Sequence, residues 1–73
     1  MARERTSRTQ DLLLGLEETS RALAAARSGF NETADRDLLE YYLYEMSALG
    51  AKHTYLLRQM KQLEERREAD EPQ

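Results

Sequence analysis

Residues 35–67 read DRDLLEYYLYEMSALGAKHTYLLRQMKQLEERR, and their pattern decides the fold. Leu39, Tyr42, Met46, Leu49, His53, Leu56, Met60 and Leu63 recur in alternating steps of three and four without a slip. An α-helix has 3.6 residues per turn, so this alternation holds one stripe on one face for about four heptads. Asp35 is a good N-cap, and Asp37 puts a second carboxylate beside the free N–H groups of the first turn. The spacing predicts a helix over about 35–67 whose stripe must find an apolar partner.

Upstream residues supply one. Leu12, Leu16, Thr19, Leu23 and Ala26 repeat at helical spacing, Phe30 continues it, and Leu13 and Ala22 widen the face. They predict a first helix over about 9–28, capped at its start by Ser7 or Thr9. Glu17 and Arg21 stand four apart, in the favourable order for an ion pair. Ser28-Gly29 reads as the end, with Gly29 in the left-handed conformation of a C-terminal cap. The connector, residues 29–34, has the length of an antiparallel helical hairpin, with Phe30 as a plug under its turn. Residues 1–8 read as a flexible basic arm carrying Arg3, Arg5 and Arg8, and residues 68–73 as a disordered acidic tail. The fold expected is all-α: a two-helix antiparallel hairpin with a longer second helix.

Seventy-three residues are close to the length at which one core barely outweighs chain entropy, so such chains lean on disulfides, metals or association. No cysteine is present, which removes disulfides, thiolate metal sites and thiol catalysis together. A single His makes a closed zinc site a poor fit. The net charge of -3 gives no general attraction to nucleic acid. No apolar run reaches membrane-spanning length and no secretory leader is expected, so the chain reads as cytoplasmic.

The unequal helices carry a further expectation. Folded about the 29–34 connector, Leu23 faces Tyr42, Leu16 faces Leu49, and Leu12 faces His53. Leu56, Leu57, Met60 and Leu63 then have no partner within the chain. Covering each fully would contribute ~1.5–3 kcal/mol. These four are the expected self-association surface of a homo-oligomer, a four-helix or coiled-coil dimer. Gly15 and Gly50 fall at similar heights in that hairpin and offer close helix approach.

Nothing in the chain carries a catalytic or cofactor signature, and no enzyme activity, cofactor or metal is expected. His53, with Met46 and Met60 one heptad to either side, reads as a seam residue among gap-filling methionines rather than a metal site. Asp35, Asp37, Glu40 and Glu45 read as caps and a solvated face, since acid–base work needs a pocket to shift a pKa. Tyr42 lies on the seam. Tyr41 and Tyr55 are fourteen apart and share a face, with Tyr44 on the adjoining strip, which makes these three the candidate surface for a protein partner.

Residues 30–63 resemble the YaaL-like proteins, a small bacterial family of unknown function. The resemblance rests on Phe30, on DRDLLEYYLYE at 35–45, on Ala48, and on YLLRQMK at 55–61. The family pattern has an aromatic, Asp-Pro-x-Leu-Ile-Asp, Ile-Tyr-Glu, an Ala, and Arg-Tyr-x-Tyr-Leu-Leu followed by Ala-Lys. Arg36 stands where the family has Pro, and Lys52-His53 where it has Arg-Tyr. The resemblance implies a small soluble helical protein of sporulating, Gram-positive-type bacteria, often encoded near recombination genes, with no known activity. Small hairpin phosphatases of response regulators carry Ser-Gln-Glu-Leu-Asp at the start of helix two, where this chain reads ADRDL at 34–38.

The expected function is therefore a non-enzymatic interaction or adaptor module. Two other readings stay open: a nucleic-acid-associated accessory protein using Arg3, Arg5 and Arg8, although nucleic acid is not the expected partner, or a response-regulator phosphatase-like hairpin without the usual motif.

Overall fold

Residues 2–32 contain no proline and are rich in Arg, Glu, Leu and Ala, all good helix formers. In the computed structural model they form one helix, α1 (Ala2–Glu32). After Thr33, Ala34 and Asp35 the chain enters α2 (Arg36–Asp70). The structure describes the backbone of residues 2–70 and the side chains of residues 7–66. The helices pack antiparallel in a rod of 57 × 17 × 14 Å.

The start of α2 follows from Asp35. Its Oδ1 accepts hydrogen bonds from the backbone N–H groups of Asp37 at 2.8 Å and Leu38 at 3.2 Å. Its carbonyl accepts the first helical bond, from Leu39 N–H at 2.9 Å. The Asp35 N–H in turn donates to Thr33 Oγ1 at 3.2 Å. Donors left over at a helix start are satisfied within one short turn.

The end of α1 departs from expectation. Gly29 is not a left-handed cap, for no described glycine has a positive φ. The Thr33 N–H donates to the Gly29 carbonyl at 3.1 Å, so the helical ladder runs straight through it. The reason is steric. A Cβ on Gly29 would overlap the outer ring atoms of Tyr42, which lie against its backbone. Covering an aromatic ring contributes more than the ~1 kcal/mol a glycine loses against alanine inside a helix.

Neither Ser7 nor Thr9 caps α1, which begins upstream of both. Residues 2–8, expected as an arm, belong to the helix, and the Arg8 guanidinium donates to Gln59 Oε1 on α2 at 3.2 Å. The side chains of Arg3 and Arg5 lie outside the described residues. At the other end α2 continues to Asp70, past the expected stop at Arg67, while residues 71–73 of the expected tail lie outside the description.

These boundaries change the register. Gly29, not Leu23, lies under Tyr42, and Gly15 lies under Leu56. At Tyr42 the pairing has moved six residues along α1. The helices are nearly matched, ~46 Å against ~52 Å at 1.5 Å per residue. Leu56, Met60 and Leu63 are therefore half-buried, and only Leu57 of the four expected surplus residues is exposed. The length mismatch from which self-association was argued shrinks to about one turn and leaves Leu56, Met60 and Leu63 with α1 beside them. Gly15 and Gly50 are not at similar heights either, and nothing lies within 4 Å of where a Gly50 Cβ would be.

The α2 seam itself is as the periodicity predicts: all eight of its residues, from Leu39 to Leu63, are half-buried. On α1 the deepest positions are Leu12, Thr19 and Ala26, one heptad apart. Thr19 is only 2% exposed, and its hydroxyl is satisfied by donating to the Gly15 carbonyl at 2.6 Å. Back-bonding of this kind lets a threonine serve as a small core residue. Phe30 is half-buried in the last turn of α1, where the hairpin closes.

Candidate protein-interaction surface

The hairpin commits its seam to itself, so any partner must be met on the outer faces. Helical periodicity sorts those of α2 into two flanks and a back. One flank carries Leu38, Tyr41 and Tyr55, and the back carries Tyr44. The other flank carries Leu43, Gly50 and Leu57. All of these large residues are exposed.

Tyr41, Tyr44 and Tyr55 stand as the sequence places them, with Tyr44 the most open at 69%. Tyr41 meets the seam residue Tyr42 edge to face, ring centroids 5.3 Å apart at 64°. A hydrogen bond to Glu45 and the charge of that carboxylate hold the Tyr41 phenol above its ordinary pKa, with desolvation and Tyr42 adding smaller pushes in the same direction. The Tyr44 hydroxyl donates to Glu40 Oε1 at 3.4 Å, a long bond on an open surface. Two of the three phenols thus lean on carboxylates of their own helix one turn away. Their rings are left as flat amphipathic contact surface with few rotamers to freeze.

The remaining candidates fall into ordinary places. His53 is half-buried in the seam. Among the described residues, no group of three or more His, Cys, Asp or Glu side chains is placed to hold a metal ion. Asp35 caps α2, while Asp37, Glu40 and the Glu17–Arg21 pair, joined at 2.5 Å, are exposed. Among the described residues no helix is long and apolar enough to cross a membrane. Arg8 is engaged with Gln59, and the side chains of its expected companions Arg3 and Arg5 are not described.

Leu13, expected to widen the packing face of α1, is exposed, because it lies about 100° around the helix from Leu12, and sequence reasoning missed exposed Leu14, Leu38 and Leu43. A signal was available: Leu43 and Leu57 are fourteen apart, the same spacing that singled out Tyr41 and Tyr55. It was hidden because a seam of eight residues draws every nearby leucine into its reading.

Comparison with known proteins adds one relation. The sequence model of a family described as "Protein of unknown function (DUF2508)" matches residues 2–66. That span takes in both helices, including all of the α1 seam, and so exceeds the half-chain resemblance read from the sequence. It carries the coarse expectation, a family of unknown function, and does not carry the YaaL name. No curated protein matches the chain, and no solved structure does.

Proposed function

Because the chain belongs to the DUF2508 family, whose function is unknown, no activity comes with membership, and we propose that it works as a non-enzymatic interaction module. In this reading a self-associating helical hairpin presents Tyr41, Tyr44 and Tyr55 to another protein in the cytoplasm. The observation that supports it is the exposure of three tyrosines on one side of α2, none of them needed to cover α1. Rings held at helical spacing on a rigid support bind with little loss of rotamer entropy, and tyrosine is enriched among residues that dominate interfaces.

Affinity capture from the native host tests this reading. Wild-type chain is compared with a Tyr41→Ser, Tyr44→Ser, Tyr55→Ser variant. All three sites are exposed, so the variant should keep its helicity. A protein retained by wild type and lost by the folded variant is the expected result. An identical set of captured proteins would remove the tyrosine surface from consideration.

A further inference from the structure

We propose that a second copy of this chain docks on the flank of α2 opposite the tyrosines, on a two-fold axis that passes beside Gly50. The inference rests on the self-association in the reading above and assigns it a face and a register.

The first observation is a pattern on α2. Arg36, Leu43, Gly50, Leu57 and Glu64 stand at intervals of seven and form one stripe beside the seam. Apart from half-buried Gly50, all are exposed. The stripe is self-complementary about its centre. Laid antiparallel on a second copy with Gly50 at the middle, Leu43 meets Leu57 and Arg36 meets Glu64, and each pairing occurs twice. Like residues would have met in a parallel arrangement, setting Arg36 against Arg36 and Glu64 against Glu64. Two-fold interfaces require such self-complementarity.

The second observation concerns the glycines. Gly15 and Gly29 each sit under a large side chain of α2, which accounts for their lack of a side chain. Gly50 has nothing within 4 Å of its Cβ position, so nothing within the hairpin explains a residue that helices disfavour. A crossing helix from a second copy would.

The third is area. A compact monomer of this mass, 8.5 kDa, exposes about 4,700 Å², whereas this hairpin exposes 6197 Å². The flank from Arg36 to Glu64 is ~42 Å long, and with α1 beside it two helices or ~20 Å wide. That makes about 800 Å², the area each partner gives to a standard stable interface. In an antiparallel hairpin the same side of α1 carries Leu13, which is exposed, with Phe30 half-buried at its edge. The register places Gly50 level with Arg21, so the same axis brings Leu13 of one copy toward Phe30 of the other. All four helices would then run antiparallel to their neighbours, as in a four-helix bundle.

The chain has no cysteine, which makes the test clean. Sedimentation of the full chain at tens of micromolar should give twice the monomer mass. Leu43→Cys combined with Leu57→Cys, which meet across the axis, should form a disulfide-linked dimer under mild oxidation, whereas Ala48→Cys, on the tyrosine flank, should not. Arg36→Glu should weaken the dimer about tenfold, and adding Glu64→Arg should restore it, because the reversed charges again meet across the axis. Circular dichroism confirms that these exposed-site variants stay helical. A monomer overturns the inference and the self-association beneath it. A dimer that cross-links through Ala48→Cys, or that ignores the charge reversal, overturns this face alone and leaves self-association standing.

Discussion

α1 and α2 bring unlike rows to the same seam. α2 contributes Tyr42, Met46, Leu49, His53, Leu56 and Met60, a ridge of large side chains. Opposite them α1 contributes a groove with a floor of small residues, Gly15, Thr19, Ala22, Ala26 and Gly29, closed at one end by Leu12 and edged by Leu16 and Leu23. The difference teaches where specificity resides. The ridge supplies the apolar area, and many hydrophobic residues of similar size would supply it nearly as well. The groove supplies the register, because Tyr42 fits only where α1 has no Cβ in the way, and Leu56 sits close over the second glycine, Gly15.

The groove should therefore be the less forgiving side. Ala26, 2% exposed, is as deep as any apolar residue of that groove. Ala26→Asp would place a carboxylate there with no cation of α2 to meet it, at a cost of roughly 3 kcal/mol or more, a large share of the stability of so small a domain. Ala24→Asp puts the same residue on the exposed side of α1 and should lose under ~1 kcal/mol. Thermal melts followed at 222 nm compare the two. Equal losses would mean that the seam is not the core.

The glycines divide the comparison further. Gly50→Ala meets open space in the monomer and should gain about 1 kcal/mol from helix propensity, measured at concentrations low enough to keep the chain monomeric. Gly29→Ala gains the same propensity but drives a methyl into the Tyr42 ring, and overpacking of this kind costs about 1–3 kcal/mol. It should end neutral or destabilised by up to ~2 kcal/mol. Gly15→Ala falls between, since its Cβ would stand 3.3 Å from Leu56 Cδ1, a contact a slight side-chain shift relieves. The order Gly50, Gly15, Gly29 in urea midpoints is the expected outcome. A Gly29→Ala variant as stable as Gly50→Ala would show that Tyr42 does not need its groove.

The same contrast explains how much could be read from the sequence. The α2 ridge was legible residue by residue, because large apolar side chains at heptad spacing are what a periodicity search detects. Asp35 was legible as a cap because its oxygen has one ready use there. The groove was only half legible. Leu12, Thr19 and Ala26 fell on the expected stripe and Ala22 beside it, but Gly15 was set against Gly50 rather than Leu56, and Gly29 was read as a stop. Gly29 then misled twice, for glycine before a polar connector is a common helix stop, and stopping there shifted the register by nearly two turns. That shift created the apparent surplus of Leu56, Met60 and Leu63. The exposure of Tyr41, Tyr44 and Tyr55 did not depend on that error, because they lie away from the seam in either register.

Tyr41 and Tyr42 repeat the comparison at the scale of adjacent residues. Tyr42 is held in place by the groove at Gly29, while Tyr41 stands in solvent with Glu45 one turn away. The neutral phenol donates to the carboxylate, and a phenolate would face its negative charge, so the folded chain holds the proton more tightly than the unfolded one. The sign follows: this contribution is fully present below the unfolded pKa of ~10 and is lost as pH rises through the higher folded value. Because Tyr41 is exposed, the effect on stability is the smallest expected here and is better read as a titration. With tyrosine labelled at 13Cζ, Glu45→Gln should lower the Tyr41 midpoint toward ~10. An unmoved midpoint would mean that Glu45 does not hold the phenol, and that this carboxylate contact does not set how Tyr41 is presented.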